Sequence, residues 1–221
     1  MSGVTKIQAQ EWLDKQGIYQ IYKPRPAKIT GLVIYDGIYD VRKPNDTHQA
    51  DILYLPHDGV KQGRKTITYK YVLTVIDAAS RYKEAEPLKT KTATEVCQAI
   101  KKIYERNPLK YPRLMMVDSG HEFMSCFIKL MKEHDVKIYR AKPGDKLKVA
   151  FVERFNRTLS ERLFRHIYNE EMKTREVNRE WFKRLPEVVE ALNNEVTRLI
   201  DKKLVDAIEL DEVVSENKYI I

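Results

Sequence analysis

The chain has 221 residues, of which 43% are hydrophobic and 33% are charged, so it can bury a core beneath a charged surface. We find neither a long apolar run nor an apolar N-terminal segment, and we therefore expect no membrane span and no signal peptide. Lysine and arginine outnumber the acids by 40 to 32, for a net charge of +8. This balance favours a polyanionic partner such as nucleic acid, although a merely solvated basic surface gives the same count.

The composition changes along the chain and predicts three parts. Residues 1–45 read as an N-terminal arm or linker, with a short helix from Ile7 to Gln16 followed by an extended Tyr, Pro and Lys stretch. Residues 46–213 carry the periodic hydrophobic pattern of a folded core. Residues 214–221 remain as a C-terminal tail.

The first half of the core predicts three strands in an antiparallel meander. Ala50 to Pro56 is an apolar run that contains a single acid, and Gly59 to Lys65 follows as a polar turn. Tyr69 to Ile76 is almost continuously apolar, which is typical of a central strand buried on both faces. Arg81 to Leu88 supplies the third strand.

The second half alternates helices with short strands. Thr92 to Tyr104 has helical periodicity, with Thr92 as N-cap and Glu95 placed for a capping box. A flexible basic loop spans residues 141–148. The order predicts an α/β fold with a mixed five-stranded sheet. The remaining predicted elements are strands Leu114–Val117 and Val136–Tyr139 and helices Phe123–His134, Val149–Tyr168, Arg179–Thr197 and Val205–Val213.

Three acids stand where a carboxylate is costly. Asp51 interrupts an apolar strand, Asp118 ends another, and Glu153 lies near the start of a helix. Converging carboxylates repel each other unless a divalent cation neutralises them, and Mg²⁺ accepts such oxygen ligands. Two ions about 3.5–4 Å apart suit an in-line phosphoryl displacement. Taken singly, each acid has a plainer interpretation, as part of a turn, as a helix cap or as an exposed helix residue.

The helix that carries Glu153 predicts a nucleic-acid surface. Glu153, Asn156, Arg157 and Ser160 recur at helical spacing and line one side. An adjacent apolar stripe forms the packing side, and basic residues along the helix suit contacts to phosphate. A solvated basic face is the alternative. The stripe contains Val152, Phe155, Leu159, Leu163 and Ile167, and the preceding loop adds Lys142, Lys146 and Lys148 as candidate DNA-binding residues.

Several ordered motifs carry a family resemblance. Residues 152–159 read VERFNRTL, residues 117–123 read VDSGHEF, and residues 71–82 read YVLTVIDAASRY. Gln49-Ala50-Asp51-Ile52 precedes them, and Leu192-Asn193-Asn194 follows. Together, over about residues 46 to 212, they resemble the retroviral-type integrase catalytic core of the DDE superfamily. They are especially similar to the integrases of Maverick/Polinton-type transposons and virophages.

The resemblance implies a ribonuclease H-like fold with helices on both faces of the sheet. It implies Mg²⁺ or Mn²⁺, two ions in the active complex, held by Asp51, Asp118 and Glu153. It leaves Asp77 as a structural turn cap and Glu122 at a helix start. The implied reaction is 3′-end processing and strand transfer, with the DNA of element ends and targets as partner. It also implies a homo-oligomer, in the nucleus of a host cell or in a virus particle.

Departures from the family pattern keep other functions open. No His-His-Cys-Cys pattern precedes the core, and Lys203-Leu204 stands where the family often has a Thr-Pro pair. One alternative is a ribonuclease H-like nuclease that acts on another substrate. The other is an inactive module for DNA binding or assembly.

Overall fold

The computed structural model describes residues 42–62, 65–141, 150–176, 179–197 and 200–213. All of them lie in the unit formed by residues 34–221. Several predicted features fall outside the described residues: the helix and extended stretch of the N-terminal arm, the tail 214–221, and the loop lysines Lys142, Lys146 and Lys148.

A five-stranded mixed sheet forms the centre of the fold, as the sequence predicts. Its first three strands pair antiparallel as a meander, and the last two are added in parallel, each reached through a helix. The strands are β1 (Thr47–Tyr54), β4 (Tyr71–Asp77), β5 (Lys83–Leu88), β6 (Leu114–Val117) and β7 (Lys137–Arg140), and they lie in the order β5-β4-β1-β6-β7.

Helices cover both faces of this sheet. Side chains alternate along each strand, so each strand contacts the helices on both sides. Leu73 and Val75 of β4 enter a core cluster with helices α1 (Ala93–Glu105) and α2 (Cys126–Glu133). Thr74 points to the opposite face, where its hydroxyl contacts helix α3 (Ala150–Thr174). Strand β4 is therefore buried on both faces, which explains its nearly continuous apolar sequence.

The predicted packing stripe of α3 is confirmed. Val152, Phe155, Leu159, Leu163 and Ile167 are all buried. The other sides of the helix are polar and carry basic residues. Within the described part of the chain, no helix has both the length and the apolar character needed to cross a membrane.

A hairpin replaces the polar turn predicted after the first strand. Strands β2 (Val60–Gln62) and β3 (Lys65–Ile67) pair antiparallel, with Val60 opposite Ile67. The glycines and charges of this stretch indicated a loop. Val60, Thr66 and Ile67 are nevertheless β-branched, a residue type that favours strands, and the two short segments pair.

Two predicted helices are interrupted. The first consists of a 3₁₀ turn at His121–Phe123 followed by α2, and Ser125 between them has a φ of 46° that no continuous helix allows. The second consists of a 3₁₀ turn at Trp181–Lys183 and helix α4 (Leu185–Asn193). Pro186 lies in the first turn of α4, where a proline is tolerated only because no helix continues before it.

The last predicted helix is shorter than its sequence pattern. Helix α5 spans Leu204–Ala207, and strands β8 (Val196–Thr197) and β9 (Lys202–Lys203) pair just before it. Leu204 and Ala207 are buried, so this short segment closes one end of the core.

The N-cap predicted for α1 is confirmed in a modified form. The Thr92 hydroxyl accepts a hydrogen bond from the Glu95 N–H at 3.4 Å. The Glu95 carboxylate reaches past Thr92 and accepts from the N–H groups of Lys89 and Thr90, at 2.7 and 2.8 Å. The helix start is thus tied to the chain leaving β5.

The side chain of Asn193 closes the outer edge of β5. Its Oδ1 accepts from the Lys83 N–H at 3.0 Å, and its Nδ2 donates to the Lys83 carbonyl at 2.8 Å. The amide therefore pairs with the edge strand as the backbone of a neighbouring strand would. Further along the same strand, Pro87 has no N–H to offer.

Asp77 is a buried turn cap, as the sequence predicts. Its side chain is fully buried and accepts from the Ser80 N–H at 2.7 Å, the Ser80 hydroxyl at 2.6 Å and the Asn45 N–H at 2.9 Å. The His48 Nε2 lies 3.5 Å from Oδ1 of Asp77, the oxygen that accepts from Asn45. These contacts fix the β4–β5 turn and the start of β1 together.

Replacing Asp77 with alanine should lower the free energy of unfolding by about 3 kcal/mol, because several buried donors lose their acceptor. Burial alone would raise the pKa of Asp77, but His48 and Ser80 together hold it below its ordinary value. A lowered folded-state pKa stabilises above the unfolded pKa, and this contribution disappears as the pH falls through the folded value. Urea unfolding should therefore show the difference from the parent shrinking as the pH falls below about 4, the ordinary pKa of an aspartate. The exposed Asp211→Ala should change stability little at any pH.

Candidate active site

Two of the predicted acids lie at the same edge of the sheet. Asp51 is within β1, and Asp118 directly follows the last residue of β6. The two strands are parallel neighbours, with Gln49 opposite Met116. Continuing that register by two residues places Asp51 beside Asp118, at the carboxyl end of β6 where open α/β folds bind ligands.

The third acid is brought to this edge by a clamp between β1 and α3. Gln49 is 1% exposed, and its Oε1 accepts from the N–H groups of Phe151 and Val152 at 3.0 and 3.1 Å. These N–H groups belong to the first turn of α3, which has no intrahelical acceptors for them. Because Gln49 and Asp51 share a face of β1, the clamp sets Glu153 relative to Asp51.

Asn156 and Thr74 hold the carboxylate of Asp51. The Asn156 Nδ2 donates to Asp51 Oδ2 at 2.7 Å, and the Thr74 hydroxyl donates to Asn156 Oδ1 at 2.6 Å. The Ile52 N–H donates to the other Asp51 oxygen at 2.8 Å. Asn156 is 7% exposed, so the structure shows a side chain that orients Asp51; its predicted contact with DNA stays a prediction.

Arg157 differs from its neighbour Asn156. Its side chain is exposed, and its Nε donates to Glu161 at 3.2 Å, one turn along α3. Such a surface pair contributes little to stability and exchanges readily for another anion. The structure thus leaves Arg157 accessible for the phosphate contact that the sequence predicts.

Electrostatics link the acids to one another. Burial is the largest cause of a raised pKa at Asp51, the hydrogen bond from Ile52 opposes it, and the charges of Asp118, Glu153 and Glu122 raise the pKa further. All of these carboxylates therefore act on one region. Asp51, Asp118 and Glu153 are the predicted metal ligands. Glu122 is a fourth acid in this region, for which the sequence predicts only a helix start.

Glu122 both begins a helical turn and belongs to the acidic cluster around Asp51. It lies in the first turn of the 3₁₀ segment, and its carboxylate is 3.6 Å from Lys91 Nζ. A Cβ on Gly120 would come within 2.6 Å of the Glu122 carboxyl carbon and 2.9 Å of Asp118 Oδ1. Glycine is therefore required at position 120, because both carboxylates lie where a Cβ would be. The spacing within VDSGHEF is the signal that could have shown this.

The donor chemistry fits a divalent cation, although the described side chains are not in ligand positions. Among the described residues, no group of three acidic, histidine or cysteine side chains has ligand spacing. Asp51 instead uses both oxygens in hydrogen bonds to Ile52 and Asn156. The cluster supplies only hard oxygen donors, and its mutual repulsion is the condition that Mg²⁺ or Mn²⁺ relieves.

The class of fold is now defined. The sheet order and the covering helices match the ribonuclease H-like fold of integrase catalytic cores. Residues 41–146 match the family model described as Integrase core domain. The predicted fold class is therefore confirmed.

Individual relatives agree with this class. A transposon-derived protein of Caenorhabditis elegans is 34% identical over 137 residues, which cover 62% of this chain and 45% of that protein. The chain thus spans under half of the length of this curated relative. The HTLV-2 integrase catalytic core domain, solved with magnesium, is similar with a TM-score of 0.57 and 18% identity, over 76% of this chain and 98% of that one. A simian T-cell lymphotropic virus intasome chain is similar with a TM-score of 0.62 and 18% identity, over 94% and 68%.

Proposed function

We propose that this chain is the catalytic core of an integrase or transposase that processes DNA 3′ ends and joins them to target DNA. The observation that supports the proposal is the proximity of Asp118 and Glu153 to Asp51: burial raises the pKa of Asp51, and the charges of these two acids raise it further. The match to the integrase core domain over residues 41–146 supports the same assignment.

Asp51, Asp118 and Glu153 are the residues that would hold the divalent cations. The proposed active complex contains two of these cations. Bound Mg²⁺ or Mn²⁺ supplies activation of the attacking oxygen and neutralisation of charge on the leaving oxygen. The chain's own residues do the positioning. Asn156 and Thr74 hold Asp51, while Gln49 fixes the helix turn that carries Glu153.

Both proposed steps are in-line displacements at phosphorus. In the first, water attacks a phosphodiester near the element end and releases a 3′-hydroxyl. In the second, that hydroxyl attacks a target phosphodiester, so one bond forms as another breaks. Neither step needs a covalent protein intermediate, which separates this proposal from recombinases that use a serine or tyrosine nucleophile.

The proposed partners are DNA and further copies of the chain. The net charge of +8 favours DNA, with Arg157, Lys142, Lys146 and Lys148 as proposed contacts. The similar solved structures are described as dimeric, trimeric and intasome forms, which supports a homo-oligomer here. A closer affinity with Maverick/Polinton and virophage integrases, and a place in the nucleus or virus particle, stay predictions.

The direct test is a joining assay with end-labelled DNA that carries a free 3′-hydroxyl. With Mn²⁺, the parent chain should produce strands longer than the substrate, and EDTA should abolish them. Digestion of RNA–DNA hybrids without joining would favour the alternative nuclease. DNA binding with no chemistry, together with no uptake of Mn²⁺ by calorimetry, would favour the inactive binding module.

Divalent cations should also stabilise the fold. Because a ligand that binds only the folded state stabilises it by mass action, Mn²⁺ at 100 times its Kd should add about 2.7 kcal/mol. Thermal unfolding of the parent should shift upward by several degrees, and that of Asp51→Asn should shift much less. The exposed Asp211→Asn is the matched control and should behave as the parent does. Equal shifts for all three proteins would contradict the metal assignment.

A further inference from the structure

A second concave site lies on the opposite flank of α3 from Glu153. It is a cleft of about 220 Å³ between α3, the β4–β5 turn and the end of α4. Its floor is apolar, formed by the buried side chains of Ile76, Phe155 and Leu192. An apolar floor with a few converging polar groups is the usual composition of a ligand site.

Positive charge dominates the walls of this cleft. Arg81, Lys83 and Arg154 line it, and the Arg81 guanidinium stacks on the Phe151 ring at 3.3 Å from the ring centroid. Among the described residues, Glu195 is the one acid of the lining, and its carboxylate already accepts from Arg162 at 2.6 Å. The described part of the lining therefore has more cations than anions.

Lys83 is half-buried and has few of the partners that an ammonium group removed from water needs. Within the described residues, its Nζ donates only to the Arg81 carbonyl, at 3.0 Å, and has no carboxylate in ion-pairing distance. Burial and, to a smaller extent, the neighbouring Arg81 lower the pKa of Lys83 to about 8, and Glu195 opposes this shift. A partly buried cation without an anion is poorly solvated, so an incoming anion would stabilise it.

Arg154 completes the set from the α3 side. It is exposed, and no described acid pairs with its guanidinium. It follows Glu153 directly in sequence, but the two side chains leave the helix in different directions. The width of a helix, about 10 Å, separates the two flanks, a distance that corresponds to about three nucleotides along one DNA strand.

We propose that this cleft is a DNA subsite in which Lys83, Arg81 and Arg154 bind a backbone phosphate and the apolar floor supports the attached sugar. The inference depends on the proposed function only in taking DNA as the ligand. The excess of cations, and the position of the cleft a few nucleotides from the carboxylates on the same helix, favour DNA over an acidic protein segment.

The test measures binding without catalysis. A short fluorescein-labelled DNA duplex is titrated with the full chain in EDTA, which removes any contribution from the carboxylate cluster. Lys83→Met and Arg154→Gln should each weaken binding by about tenfold, as for the loss of a hydrogen bond to a charged group. Each should reduce the slope of log affinity against log salt by about 0.9. Lys83→Arg, which keeps the charge, should bind within about twofold of the parent.

Lys129→Gln is the matched control, because it removes an exposed charge from α2, away from the cleft. Variants of the cleft that bind as Lys129→Gln does would overturn the proposal, as would weaker binding with an unchanged salt slope. A polyglutamate peptide that competes with DNA at equal concentration would also overturn it, in favour of a protein partner. If Lys83→Met fails to fold, the exposed Arg154→Gln decides. If the joining assay fails but the cleft variants still bind DNA more weakly, the proposed reaction is contradicted and the proposed DNA subsite is retained.

Discussion

Replacing Glu153 with glutamine should lower strand transfer by at least about a thousandfold while the fold stays intact. The substitution keeps the shape of the side chain but removes one of the charges that meet at Asp51. Losing a cation ligand at a phosphoryl-transfer site costs several kcal/mol, and about 4 kcal/mol corresponds to a thousandfold. Glu153 is exposed in the first turn of α3, so its removal should not disturb the core.

The measurement is single-turnover joining of labelled DNA in Mn²⁺, with thermal unfolding in EDTA as a check of folding. Asp118→Asn should behave in the same way, because Asp118 is also exposed at the end of β6. Glu187→Gln, an exposed acid in α4, is the control and should join DNA at the parental rate. Parental joining by both Glu153→Gln and Asp118→Asn would refute the proposed function.

Replacing Gln49 with methionine should reduce strand transfer by about tenfold to a hundredfold. Methionine has a similar length but cannot accept the N–H groups of Phe151 and Val152. Two buried donors then lose their acceptor, and we expect the first turn of α3 to shift away from β1. Displacement of a catalytic group by about 1 Å is enough for an effect of a hundredfold.

A purely structural role for Gln49 predicts a different result. If Gln49 positions Glu153, Gln49→Met should need more Mn²⁺ for half-maximal joining and should recover part of its activity at high Mn²⁺. If Gln49 only stabilises the fold, its melting temperature should fall while the Mn²⁺ dependence of joining stays parental. The exposed Gln98→Met in α1 makes the same chemical change away from the site and should affect neither quantity.

The sheet could be predicted from the sequence because its signals are local. The apolar run through β4 indicates a strand buried on both faces, and the short spacing to β5 indicates an antiparallel partner. Asp51 and Asp118 could be placed at the site because each ends or interrupts an apolar run. A carboxylate beside buried apolar residues is costly unless a partner or a cation compensates its charge, so its place in the sequence is enough to indicate a functional site.

The network around the acids could not be predicted in the same way. Gln49 binds N–H groups that lie about a hundred residues along the chain, and Thr74 reaches Asn156 across a similar separation. Polar pairs of this kind leave no trace in hydrophobic periodicity, which records only which face is buried. The failed helix prediction around Pro186 has a simpler cause, since a proline fits the first turn of a helix as well as it breaks an interior turn.

The edge of the sheet at Lys83 restricts how copies of this chain can associate. Its hydrogen-bonding groups are already taken by the amide of Asn193, and Pro87 further along offers no donor. A neighbouring molecule cannot add a continuous strand there, so sheet extension and the aggregation that follows it are blocked along β5. Any higher-order complex that involves this side of the molecule must therefore be built through helix and loop surfaces.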